Sequence, residues 1–447
     1  MQIKDARQTA SELLYQVIYE GQFSNKLIQT AVDQSNMSDV DKRFVRTLIY
    51  GVLEKSMTLD WWLGQLSSIK LKKIEPRTQI IIKMAMYQIA FMDKVPNSAA
   101  VDEGVKMTKR ANFRSAGFVN AVLRSFIRLN GEWPYPNRDE DLKQYLSVYY
   151  SHPLWLVERW IELFGDAATE ELLIANNEIP QISVRCNTIK TNKKELIREF
   201  EKSGYVVKSH DLLPEALILV KMGDVSLHMM DAFRKGHFFI QDLSAMLVGH
   251  VVVPKPGELI LDLCAAPGGK STHMAELMSN SGQIIARDVN NFKLKQIEEN
   301  INRMSISCVK LEMGDALVVN ESDLEKYDKV ILDAPCSGLG IIRRKPEIRY
   351  NRSMEDIESL STLQKEMIEV ASKYVKKGGE LVYSTCTIDP KENDEVLEWF
   401  LKTHSEYELM ALPKKLETLS TDGHKLKLYQ STNGFDGFYI VKLYHSK

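Results

Sequence analysis

The chain is poor in cysteine. Its 447 residues hold five: Cys186, Cys264, Cys308, Cys336 and Cys386. The count is odd, the spacings are wide, and no Cys-x-x-Cys pair occurs. That argues against a disulfide framework and against a structural zinc site, so no metal is expected. Long apolar runs are missing too. The most apolar stretch, Ile80 to Met92, is broken by Lys83 and Gln88. It falls short of the ~18 residues that a membrane span needs. Met1 to Arg7 are polar and lead into a helical pattern with no signal-peptide core. Neither Gly-x-Gly-x-x-Gly nor a phosphate P-loop occurs, and there is no internal repeat. These absences lead us to expect a soluble, cytoplasmic chain with reduced thiols and no membrane partner.

What is present is an ordinary globular balance, 44% hydrophobic and 26% charged. Disorder as the main state is excluded. The length suits roughly two to four domains. The net charge of -2 hides an asymmetry. Residues 1–130 hold 19 basic and 12 acidic residues, and the remainder holds 39 and 48. The N-terminal excess suggests an anionic partner there, or only unevenly spread surface charge.

Residues 1–135 are predicted to be all helical. Ala10, Leu13, Leu14, Val17 and Ile18 follow helical spacing, as do Phe44, Val45, Leu48, Ile49, Val52 and Leu53. Ser38 with Asp41 resembles a capping box, and Pro76 suits a helix's first turn. A helix over about Ser115–Leu129 places Arg114, Arg124 and Arg128 in an arc of roughly 80°. Periodicity alone favours a solvated face there over a phosphate-contacting one. The charged, helix-breaking stretch Gly131–Asp141 is expected to be a domain boundary. Residues 142–240 follow as a small helical and α+β subdomain, with helix expected over about 142–166. From Glu258 apolar strands alternate with helices, so residues 241–447 are expected to form a doubly wound, mainly parallel α/β domain.

The chemistry concentrates at the predicted strand ends. The first strand runs into Cys264-Ala265-Ala266-Pro267-Gly268-Gly269-Lys270. Two small residues before Pro-Gly-Gly bring bare backbone against a ligand. The second strand ends in Asp288, where a carboxylate can bind ribose hydroxyls. The third ends in Gly314-Asp315, suited to an adenine edge. Three ligand positions at consecutive strand ends describe a nucleoside cofactor. Nothing here would hold a pyrophosphate, which favours S-adenosylmethionine over a nicotinamide dinucleotide. The fourth strand ends in Asp333-Ala-Pro-Cys336-Ser-Gly and the fifth in Ser-Thr-Cys386-Thr. If these strands are adjacent and parallel, both thiols face one cleft. Carbon 5 of a pyrimidine is too weak a nucleophile to attack a methyl sulfonium. A thiolate adding to carbon 6 makes it an enamine that can attack. A carboxylic acid near ring nitrogen N3 would stabilise the developing charge. The residues alone leave open which cysteine adds.

Cys-Ala-Ala-Pro-Gly-Gly-Lys, Asp-Ala-Pro-Cys-Ser-Gly and Ser-Thr-Cys-Thr, in this order, resemble the RNA cytosine-5 methyltransferases. Arg185-Cys-Asn187-Thr-Ile-Lys190 resembles that family's upstream Arg-x-Asn-x-x-Lys segment. Val95 to Glu103 and Gly117 to Arg124 resemble the NusB antitermination-factor domain, a helical RNA-binding module. The combination is similar to the bacterial Sun/RsmB group.

The resemblance implies a class I methyltransferase domain that uses S-adenosylmethionine. It implies cytosine-5 methylation of 16S ribosomal RNA, at cytosine 967. It assigns the nucleophile to Cys386 and product release to Cys336. In DNA cytosine-5 enzymes the Pro-Cys cysteine attacks instead. Cofactor contacts fall on Cys264 to Lys270, Asp288, Asp315 and Asp333, and Asp333 also faces the base. Arg287 departs from the expected small or apolar residue and could crowd the ribose site. RNA contacts are expected at Arg185, Asn187 and Lys190. They are also expected along Arg343-Arg344-Lys345 and on to Arg349 and Arg352. The base must leave its stack, so a single-stranded RNA loop is expected as the substrate; the enzyme is expected to be a monomer. A transfer-RNA cytosine-5 methyltransferase and a non-catalytic RNA-binding assembly factor remain as alternatives.

Overall fold

A computed structural model of the chain describes residues 5–33, 35–223, 225–430 and 434–446. The first four residues of the polar N-terminal stretch thus lie outside the described residues. The chain divides into two units: Met1–Glu178 with Ile342–Ser353, and Ile179–Ile341 with Met354–Lys447. No helix among the described residues is long and apolar enough to cross a membrane.

The first unit is helical. Helices Ala6–Glu20, Asp39–Glu54, Ser56–Leu66, Pro76–Phe91, Asn97–Ala111 and Ala116–Arg128 enclose one apolar core. Ser38 accepts from the Asp41 amide and caps the second of these as its sequence suggests. The stretch Gly131–Asp141, expected as a boundary, lies within a compact unit that runs on to Glu178. Trp133 stacks on Phe126 with ring centroids 4.2 Å apart and also meets Trp62 at 5.3 Å. Tyr135 meets Tyr149 at 5.1 Å. Burial of aromatic area outweighs the breaker residues, and the following helices stay with this unit. Those helices are Leu142–Tyr149, Leu154–Phe164 and Asp166–Asn176, where one helix was expected over about 142–166. Pro153, with no amide hydrogen, opens the second of them.

Ile342–Ser353 joins this unit through buried polar contacts. Arg349 is 1% exposed. Its guanidinium donates to the Glu54, Ser151 and Asn176 carbonyls at 2.9, 3.0 and 3.0 Å. Glu54 and Asn176 end their helices. Helix C-termini leave carbonyls unpaired and carry partial negative charge, which one buried arginine meets. Glu347 accepts from the Ser24 amide and hydroxyl at 3.1 and 3.0 Å.

The second unit contains two sheets. The smaller is antiparallel, with β1 (Ser183–Cys186), β2 (Val206–Ser209), β3 (Ala216–Lys221) and β4 (Phe238–Ile240) in the order β2-β3-β1-β4. The larger contains β5 (Leu259–Asp262), β6 (Gln283–Asp288), β7 (Val309–Met313), β8 (Tyr327–Asp333), β9 (Val375–Thr385), β10 (Tyr407–Leu409), β11 (Lys425–Leu428) and β12 (Phe438–His445). Its order is β10-β12-β9-β8-β5-β6-β7, with β11 also on β12. The strands β5 to β9 run parallel, and β12 returns antiparallel to β9. This is the doubly wound arrangement expected. The chain winds from β5 towards β7, then crosses to β8. The topological switch point therefore lies between β5 and β8, where such sheets bind ligands at their carboxyl ends.

Candidate active site at the carboxyl edge of the sheet

The loop after β5 is shaped by glycine. Gly268 has φ +92°, and a Cβ there would lie 3.0 Å from the Ile297 side chain. No larger residue fits this turn without strain. Gly268 caps helix Gly269–Leu277. Asp262, at the end of β5, is buried and accepts from Ser271 Oγ at 2.6 Å, while its other oxygen has no partner. Burial pushes its pKa up to about 6.

Asp288 ends β6, beside Met313 on β7 in the ladder register. Its carboxylate accepts from the Ala266 amide at 3.1 Å and the Val289 amide at 2.8 Å, and pairs with Lys293 at 3.0 Å. Asp315 follows β7 and is exposed. Apolar side chains stand exposed around these strand ends, among them Val289, Phe292, Met313 and Leu317. Reading by motif missed them; their only signal is apolar character just beyond two acid-bearing strand ends. Arg287 does not crowd this site. Side chains alternate along a strand, so Arg287 leaves the face that Asp288 occupies. It is buried against Asp323 and Glu312 instead.

The strands β8 and β9 are adjacent and parallel, with Asp333 opposite Ser384. Cys336 Sγ and Cys386 Sγ are 3.3 Å apart, and both are free thiols. Asp333 accepts from Lys270 Nζ at 2.6 Å and from Ser384 Oγ at 2.7 Å. Burial works against the Lys270 ammonium, but Asp333 outweighs it, and the net shift is upward. The hydrogen bond to Cys386, together with burial, pushes the Cys336 thiol well above its ordinary range. In that contact either sulfur can donate. Burial also pushes the Cys264 thiol up, which leaves it an inert neighbour of the loop.

Buried polar groups brace the Pro-Cys loop. Glu392 accepts from the Ser337 amide at 2.8 Å, from the Ser337 hydroxyl, and from Gln364 Nε2 at 3.0 Å. Gln364 Nε2 also donates to the Pro335 carbonyl at 2.9 Å. No periodicity or spacing announced this brace.

The expected RNA contacts at Arg185, Asn187, Arg343 and Arg349 require correction, because these side chains are buried. Arg185 is fully buried. It makes a bidentate pair with Glu276, both bonds 3.0 Å, and donates to the Gly269 carbonyl at 2.7 Å and Thr272 Oγ1 at 2.8 Å. It supports the helix that starts at the glycine loop. Asn187, also buried, donates to the Gly236 and Met304 carbonyls at 2.8 and 2.9 Å. Lys190 is exposed and donates to the Arg303 carbonyl at 3.2 Å. Helix Asn291–Met304 ends there, and its last carbonyls need donors. Arg-x-Asn-x-x-Lys thus staples the small sheet to helices of the large one. Arg343, Arg344 and Lys345 belong to the helical unit. Arg343 is buried, Arg344 is half-buried, and Lys345 Nζ lies 5.6 Å from the Phe23 ring centre.

One cluster among the described residues has metal-ligand spacing: Glu215, His250 and His273. Glu215 Oε1 lies 2.6 Å from His250 Nε2 and 3.0 Å from His273 Nε2. The outer nitrogen of His250 faces Lys415 Nζ. A metal-bound imidazole needs an acceptor at that position, and an ammonium is a donor. Within the cluster, His250 bonds Glu215 and Lys415, while neither ring nitrogen of the buried His273 makes a hydrogen bond.

Residues 250–444 match the 16S rRNA methyltransferase RsmB/F family. Residues 4–128 match the NusB family, and residues 152–226 match the ferredoxin-like domain of RsmF/B-like methyltransferases. A Bacillus subtilis protein named "Probable ribosomal RNA small subunit methyltransferase B" is 35% identical over 99% of each chain. The "Ribosomal RNA small subunit methyltransferase B" of Photorhabdus laumondii is 32% identical over 98% of each. The crystal structure of PH0851 aligns over 100% of both chains with TM-score 0.84 and 28% identity. The structure of NSun6 from Pyrococcus horikoshii with SFG aligns with TM-score 0.60 and 26% identity. It covers 66% of this chain and 98% of its own.

Proposed function

The chain belongs to the 16S rRNA methyltransferase RsmB/F family, and on that premise we propose that it methylates carbon 5 of a cytosine in 16S ribosomal RNA. The observation that carries this reading is the pair of free thiols 3.3 Å apart at the ends of adjacent parallel strands. Methylation of an exocyclic amine or a ribose hydroxyl needs no thiol. Addition to carbon 6 of a pyrimidine needs one, and elimination of the adduct uses a second acid–base group.

The residues fit S-adenosylmethionine. Gly268 and Gly269 leave room for close backbone approach. Asp262 brings a buried, unpartnered carboxylate oxygen, with Asp288 and Asp333 nearby. Carboxylates suit a ligand bearing sulfonium and ammonium charges. Asp288 already accepts from two amides, but a carboxylate has about four acceptor sites, so ribose hydroxyls find room. Val289, Phe292, Met313 and Leu317 suit the faces of an adenine ring. When bound, the cofactor supplies an electrophilic methyl group.

Cys386 adds as the thiolate to carbon 6. Asp333, held by Lys270 and Ser384, faces the pyrimidine edge and steadies charge at N3. Cys336, as a thiol, gives its proton to the Cys386 sulfur as the carbon-6–sulfur bond breaks, while the carbon-5 proton passes to water. The base enters from a single-stranded segment, flipped out of its stack. Cytosine 967 is the target we expect, and the small-subunit names of the relatives favour ribosomal over transfer RNA. Bisulfite sequencing of total RNA from a deletion strain tests this. Loss of one 16S 5-methylcytosine is the expected result; loss confined to a transfer RNA overturns it. A labelled methyl donor with 16S RNA separates catalysis from a purely assembly-related role.

A further inference from the structure

Glu392 stands outside every motif that led to the site, yet it is fully buried six residues beyond Cys386. A buried carboxylate is costly unless it is paired or hydrogen-bonded. No cation pairs with this one in the contacts described above. Instead it takes hydrogen bonds from the Ser337 amide, the Ser337 hydroxyl and Gln364 Nε2. Its own backbone carbonyl accepts from Tyr383 Oη at 2.6 Å. Gln364 holds the Pro335 carbonyl with the same nitrogen that reaches Glu392. Pro335 and Ser337 are the two neighbours of Cys336. The loop carrying Cys336 is thus clamped on both sides of the thiol, and the clamp converges on one carboxylate.

We propose that Glu392 is a positioning residue for Cys336, acting through Ser337 and Gln364 to hold the thiol in its proton-bearing place opposite Cys386. The proposal rests on the reading that Cys336 resolves the covalent adduct. It adds a residue to which that reading assigned nothing. The groups acting on Cys336 are Cys386, Glu392 and Asp333, all of which favour its protonated form, with Tyr383 also close by. Glu392 faces Ser337, Gln364 and Asp389, and burial pushes its pKa up. As an anion it keeps the Cys336 proton in place. Taking away that charge lowers the thiol's pKa.

The test uses the full chain, 16S RNA transcript and labelled methyl donor. Glu392→Gln keeps the side chain's shape, and the Ser337 hydroxyl can turn towards Thr387 Oγ1, 2.9 Å away. This variant should form the protein–RNA adduct at the wild-type rate but release it roughly tenfold more slowly, the effect of about one unit of pKa mismatch or its geometric equivalent. The pH profile of release should move towards acid. Ser337→Ala, which removes one link and keeps the charge, should slow release with no shift in the profile. Thermal melting of both variants separates these effects from loss of fold. Wild-type release and an unmoved pH profile in a stably folded Glu392→Gln protein would overturn the proposal. Cys336→Ala is run beside it. If that variant traps no adduct while the wild type methylates, the underlying reading of the cysteines falls first, and this proposal falls with it.

Discussion

The two cysteine-bearing segments are held by different means. Cys386 follows an eleven-residue strand that is hydrogen-bonded on both sides, by β8 and by β12. Its own carbonyl accepts from the Gly340 amide at 3.0 Å. Cys336 sits in an irregular loop beyond the end of β8, outside any ladder. Backbone bonds from the Ala334 and Gly340 amides hold that loop at its ends, and buried side chains hold it between them. A backbone ladder is built from many bonds that no single substitution removes. A side-chain clamp depends on a few groups, and each one lost leaves a buried partner unpaired. On the proposed mechanism, the attacking position is therefore the robust one and the resolving position the tunable one.

The sharpest way to break this comparison is at the attacking end. Cys386→Ala should abolish methylation of 16S RNA while binding of the methyl donor persists, measured by label transfer and by equilibrium binding. Turnover in this variant would move the nucleophile elsewhere. Next in size is Cys336→Ala, which should methylate once and then stall. A denaturing gel should show a slow-migrating, RNA-dependent band that the wild type lacks. The smaller effect of Glu392→Gln lies between stalled and normal release, as described above.

The smallest effect expected is at the helix that starts at the glycine loop. His273 lies on helix Gly269–Leu277, which starts at the glycine loop. Burial lowers its pKa to about 4, although Glu215 beside it pulls the other way. Between that value and the ordinary 6.5, the unfolded chain binds a proton that the folded chain does not. Stability should therefore be complete above about pH 6.5 and fall as the pH drops towards 4, by at most roughly 3 kcal/mol. His273→Gln should flatten that part of a melting-temperature curve against pH. Neither cysteine variant should alter it.

Much of the site was legible because its residues are tied to strand ends. Once apolar runs alternate with helices, Asp288, Asp333, Cys336 and Cys386 fall at one edge of the sheet, and the structure brings the last three together there. The arginines were not legible in this way. Arg185 and Arg349 read as cations awaiting phosphate. Both are buried against helix termini or a buried glutamate, which sequence proximity does not reveal. Trp133 likewise sits in a stretch rich in turn formers, and only its packing on Phe126 and Trp62 keeps that stretch with the helical unit.

The amino-acid order by itself determined the succession of helices and strands, the glycine turn after β5, and the presence of two thiols at strand ends. These follow from local rules: apolar periodicity, the φ freedom of glycine, and the short reach of a residue that sits beside its own strand. Only the tertiary structure decided which charged side chains face water and which satisfy buried carbonyls and carboxylates. A long, flexible cation can turn either way, and what settles its direction is a set of partners brought from distant parts of the chain. Glu392 belongs to that second class. Its role depends on Ser337 and Gln364, 55 and 28 residues away in sequence, and becomes visible only when the fold has placed them around the Pro-Cys loop.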